Sequence, residues 1–189
     1  MMKNSYKIII AILLSLAILL SANQKQELNY EFIQENTYYS FRGSFIVKSD
    51  ANCLIDLIYD FEQLSGYSLG AKSIKLIQRG DNWYDVSYTY RKLIILENRS
   101  TWRRILVTDE QKVIFKMISS KNNLKIMPEV ISSEGYYQIK KEKDGCRVEY
   151  FQECMLKPGF FKSTYIKKAK KEAIKFMHEF KKYIETECN

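Results

Sequence analysis

Side chains able to do chemistry are few in this chain and of a narrow kind: one histidine, four cysteines, fourteen tyrosines and a surplus of basic residues. A single histidine excludes two-histidine zinc motifs and His-rich metal sites, and no cofactor is expected. His178 has no serine or carboxylate at a recognisable catalytic spacing, which leaves a Cys154–His178 nucleophile pair as the covalent option. Arg104 and Glu97 fall in strand-like segments and would orient a substrate if they faced inward, with tyrosines as acids. Facing outward, both are ordinary solvated charges.

The elements that must position these groups follow from composition and periodicity. With 46% apolar residues, only 7 Gly and 2 Pro, the chain has core material for one compact domain and is a poor fit to disorder or repeats. Residues 1–22 read as a signal peptide. Lys3 and Lys7 precede an apolar run from Ile8 to Leu20 of 13 residues, interrupted by Ser15 alone. A spanning helix needs about 20 apolar residues, a signal core roughly 7 to 15. Ser21 and Ala22 supply small residues for cleavage before Asn23, so the mature chain is expected outside the cytoplasm, periplasmic or secreted. Residues 23–36 then form a polar N-terminal segment, and 37–189 the folded domain.

Within that domain Tyr39, Phe41, Gly43, Phe45 and Val47 recur at period two, marking a strand with one buried face. Asp50 caps a helix in which Leu54, Leu57, Ile58 and Phe61 share a face, and Gly66 and Gly70 break it. Strands are expected near 72–78, 83–95, 100–107, 112–118, 130–141 and 146–156. Turn signals separate them, among them Glu97-Asn98, Asn122-Asn123 and the strong hairpin pair Asp144-Gly145. On the fourth predicted segment two readings stay open: either Trp102, Arg104 and Leu106 face inward, or Ile105 and Val107 do. Elsewhere alternation is clear. Tyr84, Val86, Tyr88 and Tyr90 share a dry face opposite Trp83, Asp85, Ser87 and Thr89, and Val113, Phe115 and Met117 oppose Lys116. After Pro158-Gly159 a long helix is expected over 163–185, with Ile166, Ala169, Ala173, Phe176, Met177, Phe180 and Ile184 as its apolar stripe.

This order of strand, short helix, six strands and long amphipathic helix resembles the START-like superfamily, also called helix-grip or SRPBCC. The resemblance rests on Leu57 to Phe61 after the first strand, Gly135-Tyr136-Tyr137 and Asp144-Gly145 in the penultimate hairpin, and Tyr150 through Pro158-Gly159 leading into the last helix. It implies an α+β fold in which a curved seven-stranded antiparallel sheet wraps a long C-terminal helix. It also implies a cavity for a lipid, sterol, isoprenoid or polyketide-like molecule. The dry-face residues Tyr84, Tyr88, Tyr90, Phe115, Met117 and Tyr137, with Ala173, Phe176, Met177 and Phe180 from the helix, are then the candidate ligand-binding residues. Buried tyrosines need partners for their hydroxyls, which a polar-headed ligand or trapped water supplies; a filled core with the hydroxyls at its rim is the alternative. A cyclase- or hydrolase-type enzyme in the same cavity and an envelope protein-binding module are the competing functions.

In an oxidising compartment four cysteines allow three connectivities. Cys146 and Cys154, eight residues apart on one predicted strand, would lie roughly 26 Å apart and cannot pair. Cys53 opens the first helix and Cys188 closes the last. The resembled fold packs those ends together, which implies a Cys53–Cys188 bridge, with four reduced thiols as the alternative.

The formal net charge is +8, and nine lysines lie between Lys157 and Lys182 against Glu172 and Glu179. Nucleic acid is not expected as a partner of an exported chain lacking aromatic-basic interleaving, whereas an anionic membrane surface is compatible with the lysine-rich last helix. N-terminal sequencing of the protein from its native host is expected to find a chain starting near Asn23. An intact Met1 in a cytosolic fraction would contradict export.

Overall fold

The computed structural model describes residues 28–68, 70–93, 96–122 and 128–188, the side chains of 91–93, 96–97 and 122 excepted. The proposed signal peptide and its cleavage site lie outside the described residues. The elements run β1 (Asn29–Glu35), β2 (Tyr38–Val47), α1 (Ala51–Tyr59), α2 (Leu64–Tyr67), β3 (Ala71–Arg79), β4 (Trp83–Leu93), β5 (Leu96–Val107), β6 (Lys112–Asn122), β7 (Val130–Glu142), β8 (Gly145–Leu156) and α3 (Lys162–Glu187).

All the strands join one antiparallel sheet in the order β1-β2-β8-β7-β6-β5-β4-β3. From β2 the chain crosses through α1 and α2 to the far edge and then meanders back until β8 pairs beside β2. Bulges interrupt the ladders of β3, β4, β5 and β7 with their neighbours, and such insertions bend and twist a sheet. The curved sheet and long last helix are those the resemblance implies, but the described residues form eight strands rather than seven. The additional one is β1, inside the segment read as merely polar. Its side chains are exposed except for half-buried Phe32, because it is an edge strand with no dry face. Glu97 and Asn98, read as a turn, lie within β5, opposite Arg91 and Tyr90. The Asn122-Asn123 turn extends outside the described residues.

Asp50 caps α1 by accepting from the Asn52 and Cys53 amides at 2.8 and 3.4 Å. The core lies between the concave face of the sheet and the helices: Phe41, Phe45 and Val47 of β2, Leu54 and Ile58 of α1, and Met177, Phe180 and Ile184 of α3 are almost completely buried. Cys53 and Cys188 form a disulfide, with Cα atoms 5.9 Å apart, joining the start of α1 to the end of α3 across 135 residues. Among the described residues no helix is long and apolar enough to cross a membrane.

One glycine carries much of the close packing. A Cβ on Gly135 would overlap the Phe151 carbonyl and come within 2.6 Å of the Phe115 ring, whereas one on Gly159 would meet nothing within 4 Å. Gly135→Ala is therefore expected to destabilise the fold by about 1–3 kcal/mol, and Gly159→Ala to change it by less than about 0.5 kcal/mol. Equilibrium urea unfolding of the two variants checks this pair.

Candidate functional site

The last turn of α1 ends inside the protein, where its carbonyls need donors that water cannot supply. Two tyrosines and an arginine meet that need. Tyr67 of α2 donates to the Ile58 carbonyl and Tyr84 of β4 to the Tyr59 carbonyl, each at 2.7 Å. Arg104 of β5, paired between Tyr84 and Phe115, donates through Nη2 to the Ile58 carbonyl at 2.7 Å and to the Tyr67 hydroxyl at 3.0 Å. A cation is favoured at a helix C-terminus by the helix dipole. The guanidinium also lies over the Tyr137 ring, 5.5 Å from its centroid.

Arg104 is only 4% exposed, and among the described residues no carboxylate pairs with it. Its Nε–H has no partner. This guanidinium lines a cavity of about 300 Å³, together with Tyr67, Ser68, Tyr88, Tyr90, Ser100, Trp102, Phe115, Tyr137, Tyr150, Gln152, Glu172 and Phe176. Glu172 is exposed on α3 and marks the solvent side. Polar groups along the wall are tied to one another: Trp102 Nε1 donates to Ser100 Oγ at 2.9 Å, Tyr150 donates to Gln152 Oε1 at 2.5 Å, and Gln152 Nε2 to Ser133 Oγ at 3.0 Å.

Of the predicted ligand-binding residues, Tyr88, Tyr90, Phe115, Tyr137 and Phe176 come together on this cavity. Tyr84, Met177 and Phe180 are packed in the filled core instead, and half-buried Ala173 packs against it without lining the cavity. Met117 lines a separate hollow with Ser133 and Cys154. It is diverted because β6 and β7 stop pairing beyond Lys116 and Glu134, and a bulge resets the β5–β6 register at Trp102. Arg104 faces inward, which settles the open reading of its strand; the side chain of Glu97 lies outside the described residues. Tyr150 was legible in the alternation of its strand with Val148 and Cys154, but Tyr67 sits in a connector where no period marks it.

The Cys154–His178 pair does not form. Cys154 is buried with Tyr39, Leu156 and Ile166, where burial raises its thiol pKa, while His178 is exposed on α3. Among the described residues no group of three or more His, Cys, Asp or Glu side chains is placed to hold a metal ion.

Burial holds the cavity phenols in their neutral form. Desolvation raises Tyr67 and Tyr137 well above the ordinary tyrosine range despite the opposing pull of Arg104, and Tyr90 and Tyr150 are raised by the same cause. Tyr84 is pushed up to about 12, again chiefly by burial. Tyr67 and Tyr150 thus line the cavity as neutral phenols whose protons are committed to the Ile58 carbonyl and to Gln152.

No protein-family model matches the sequence, and no curated protein matches it either. Solved structures do. The protein TTHA0849 from Thermus thermophilus superposes with a TM-score of 0.63 at 15% identity, covering 78% of this chain and 95% of that one. The di-domain ARO/CYC StfQ of the steffimycin biosynthetic pathway gives 0.66 at 10% identity, over 81% of this chain and 52% of that longer one. A STAR-related lipid transfer protein from Xanthomonas axonopodis gives 0.53 at 11% identity, over 76% and 87%. Likeness at such low identity defines the fold: this chain has the START-like helix-grip fold.

The raised phenols fix the sign of an alkaline effect. The unfolded chain releases tyrosine protons near pH 10, the folded one later, so this contribution is complete below about pH 10 and for Tyr84 is lost as pH rises through about 12. Unfolding free energy is expected to fall above about pH 10, with Tyr67, Tyr90, Tyr137 and Tyr150 ionising only as the protein unfolds. Ultraviolet phenolate titration alongside circular dichroism checks it; titration of all fourteen tyrosines near pH 10 with the fold intact would contradict it.

Proposed function

We propose that the protein is an exported, non-enzymatic carrier or sensor of a small apolar molecule bearing an acidic oxygen, held between α3 and the sheet. The observation that carries this reading is Arg104: a buried cation with an unpartnered Nε–H and no carboxylate partner among the described residues, on the wall of a tyrosine-lined cavity. A carboxylate, enolate or similar oxygen is the ligand group that such a cation favours, and the aromatic walls suit an apolar body. A volume of about 300 Å³ is at the small end of ligand pockets, about 300–1,000 Å³, and favours a compact ligand over a whole diacyl lipid.

The neighbours support binding of an apolar molecule without fixing which one, since they include both a STAR-related lipid transfer protein and an ARO/CYC. The phenols favour a carrier over a cyclase. Proton transfer is most efficient when the catalytic pKa lies near the operating pH, and burial moves these tyrosines away from neutrality. They serve better as neutral groups that shape and polarise the cavity wall, the Tyr67 and Tyr150 protons being committed to the Ile58 carbonyl and to Gln152. The Cys53–Cys188 bridge fits an oxidising compartment and so supports export.

The test is displacement of a fluorescent apolar probe by decanoate and by methyl decanoate. Decanoate is expected to compete about tenfold or more better than its ester, as a charge-assisted hydrogen bond worth about 1.5–3 kcal/mol implies. Arg104→Met should erase that preference. Because Arg104 also serves the α1 carbonyls, Arg104→Lys is the companion variant, expected to keep the fold while weakening decanoate. Equal binding of acid and ester by the parent, or no probe binding, would overturn the reading.

A further inference from the structure

The loop between β8 and α3 presents two phenylalanines to solvent: Phe160 is fully exposed and Phe161 51% exposed. Met155 near the end of β8 and the bulge residue Ile131 near the start of β7 add further exposed apolar surface. Aromatic side chains left in water at a loop tip contribute nothing to the core.

The helix that follows carries its charges in the order opposite to the one its own dipole favours. Helix N-termini are stabilised by acidic residues and C-termini by basic ones. Here the first turn holds no acid and the last no base. Lys162, Lys167, Lys168, Lys170 and Lys171 precede the first glutamate, Glu172, whereas Glu185 and Glu187 close the helix. Lys170 covers the Phe32 ring, but Lys167, Lys168, Lys171 and Lys175 are exposed. At helical spacing these four share the face opposite buried Ile166, Met177, Phe180 and Ile184. From Lys162 to Lys175 is roughly 20 Å at about 1.5 Å per residue, so the lysine face and the phenylalanine tip belong to one footprint.

We infer that this footprint docks on an anionic lipid bilayer, Phe160 and Phe161 entering the interfacial layer and the α3 lysines facing the headgroups. Aromatic rings favour the membrane–water interface, and lysines near an anionic leaflet are attracted to it. The pairing of exposed aromatic tips with an adjoining cationic face distinguishes a bilayer from an acidic protein, which would need the charge alone. What fills the cavity does not enter into this docking.

Vesicle co-sedimentation of the purified protein tests it, with phosphatidylcholine vesicles compared against vesicles containing one quarter phosphatidylglycerol. Binding is expected to the anionic vesicles only and to weaken with added salt. Lys167→Gln with Lys171→Gln should reduce it about tenfold or more, and Phe160→Ser with Phe161→Ser should reduce it similarly. Phe160 is fully exposed, so Phe160→Ser alone serves as the variant that keeps the fold, checked by an unchanged melting temperature. Absence of binding to the anionic vesicles would overturn the inference. So would binding indifferent to the phenylalanine changes, which would mark the face as one for an acidic protein. Decanoate binding is measured without vesicles, so failure there and failure here are separate results.

Discussion

A buried guanidinium at the end of a short helix organises this protein. Arg104 reaches from the sheet to the last turn of α1, and its contacts with the Ile58 carbonyl and the Tyr67 hydroxyl tie the end of that helix to the end of α2. Taking a cation out of water is costly unless dipoles replace the water. The replacements here are the α1 carbonyl end, the phenol of Tyr67 and the face of the Tyr137 ring. Phenylalanine at position 84 would fill much the same space and leave the Tyr59 carbonyl without its donor, and at position 67 it would take one of two donors from the Ile58 carbonyl and the hydroxyl from Arg104, which is why this side of the core is built from tyrosine. The arrangement satisfies most of the guanidinium but not all of it, and the unsatisfied N–H belongs to a residue on the cavity wall.

The cavity owes its shape to mismatched packing around that cation. Phe115 lies across Gly135, where no side chain competes for the space, and its ring stacks on Tyr150 with centroids 5.8 Å apart. Phe176 from α3 meets Tyr150 and Phe180 at 5.2 and 5.3 Å. Flat rings stacked and tilted against one another leave hollows that aliphatic side chains would close. Below them, Phe45, Met177, Phe180 and Ile184 pack without such gaps, so one molecule carries a filled core at the α1 side and an open one beside Trp102 and Ser100.

Periodicity made most of this fold legible. Alternation in β2, β4, β7 and β8 and the apolar stripe of α3 reflect burial on one face, which leaves a direct trace in residue type. The trace fails where burial is absent or is achieved by polar groups. Edge strand β1 has no dry face and so no pattern. Asp85, on the polar side of its strand, is nonetheless 3% exposed because Arg103 covers it with a two-pronged ion pair at 2.8 and 3.0 Å while lying over Trp83. Arg104 left its strand ambiguous for the same reason: an inward arginine reads like an outward one until its partners, drawn from α1 and α2, are seen together. Half of the cavity wall was visible as aromatic alternation, and the rest comes from connectors and polar side chains that carry no period.

The disulfide turns α3 into a lever with one end fixed. Cys188 is tethered to the first turn of α1, so the helix can tilt away from the sheet only about a fulcrum at its C-terminus. Along its 26 residues, at about 1.5 Å each, a tilt of about 5° displaces the N-terminal end by roughly 3 Å and the segment at Phe176 by about half that. Such a tilt would have to part fully buried Ile166 from Tyr39, Cys154 and Leu156, the second anchor of the helix. A force applied at that tip acts on the cavity with the full length of the helix as its arm.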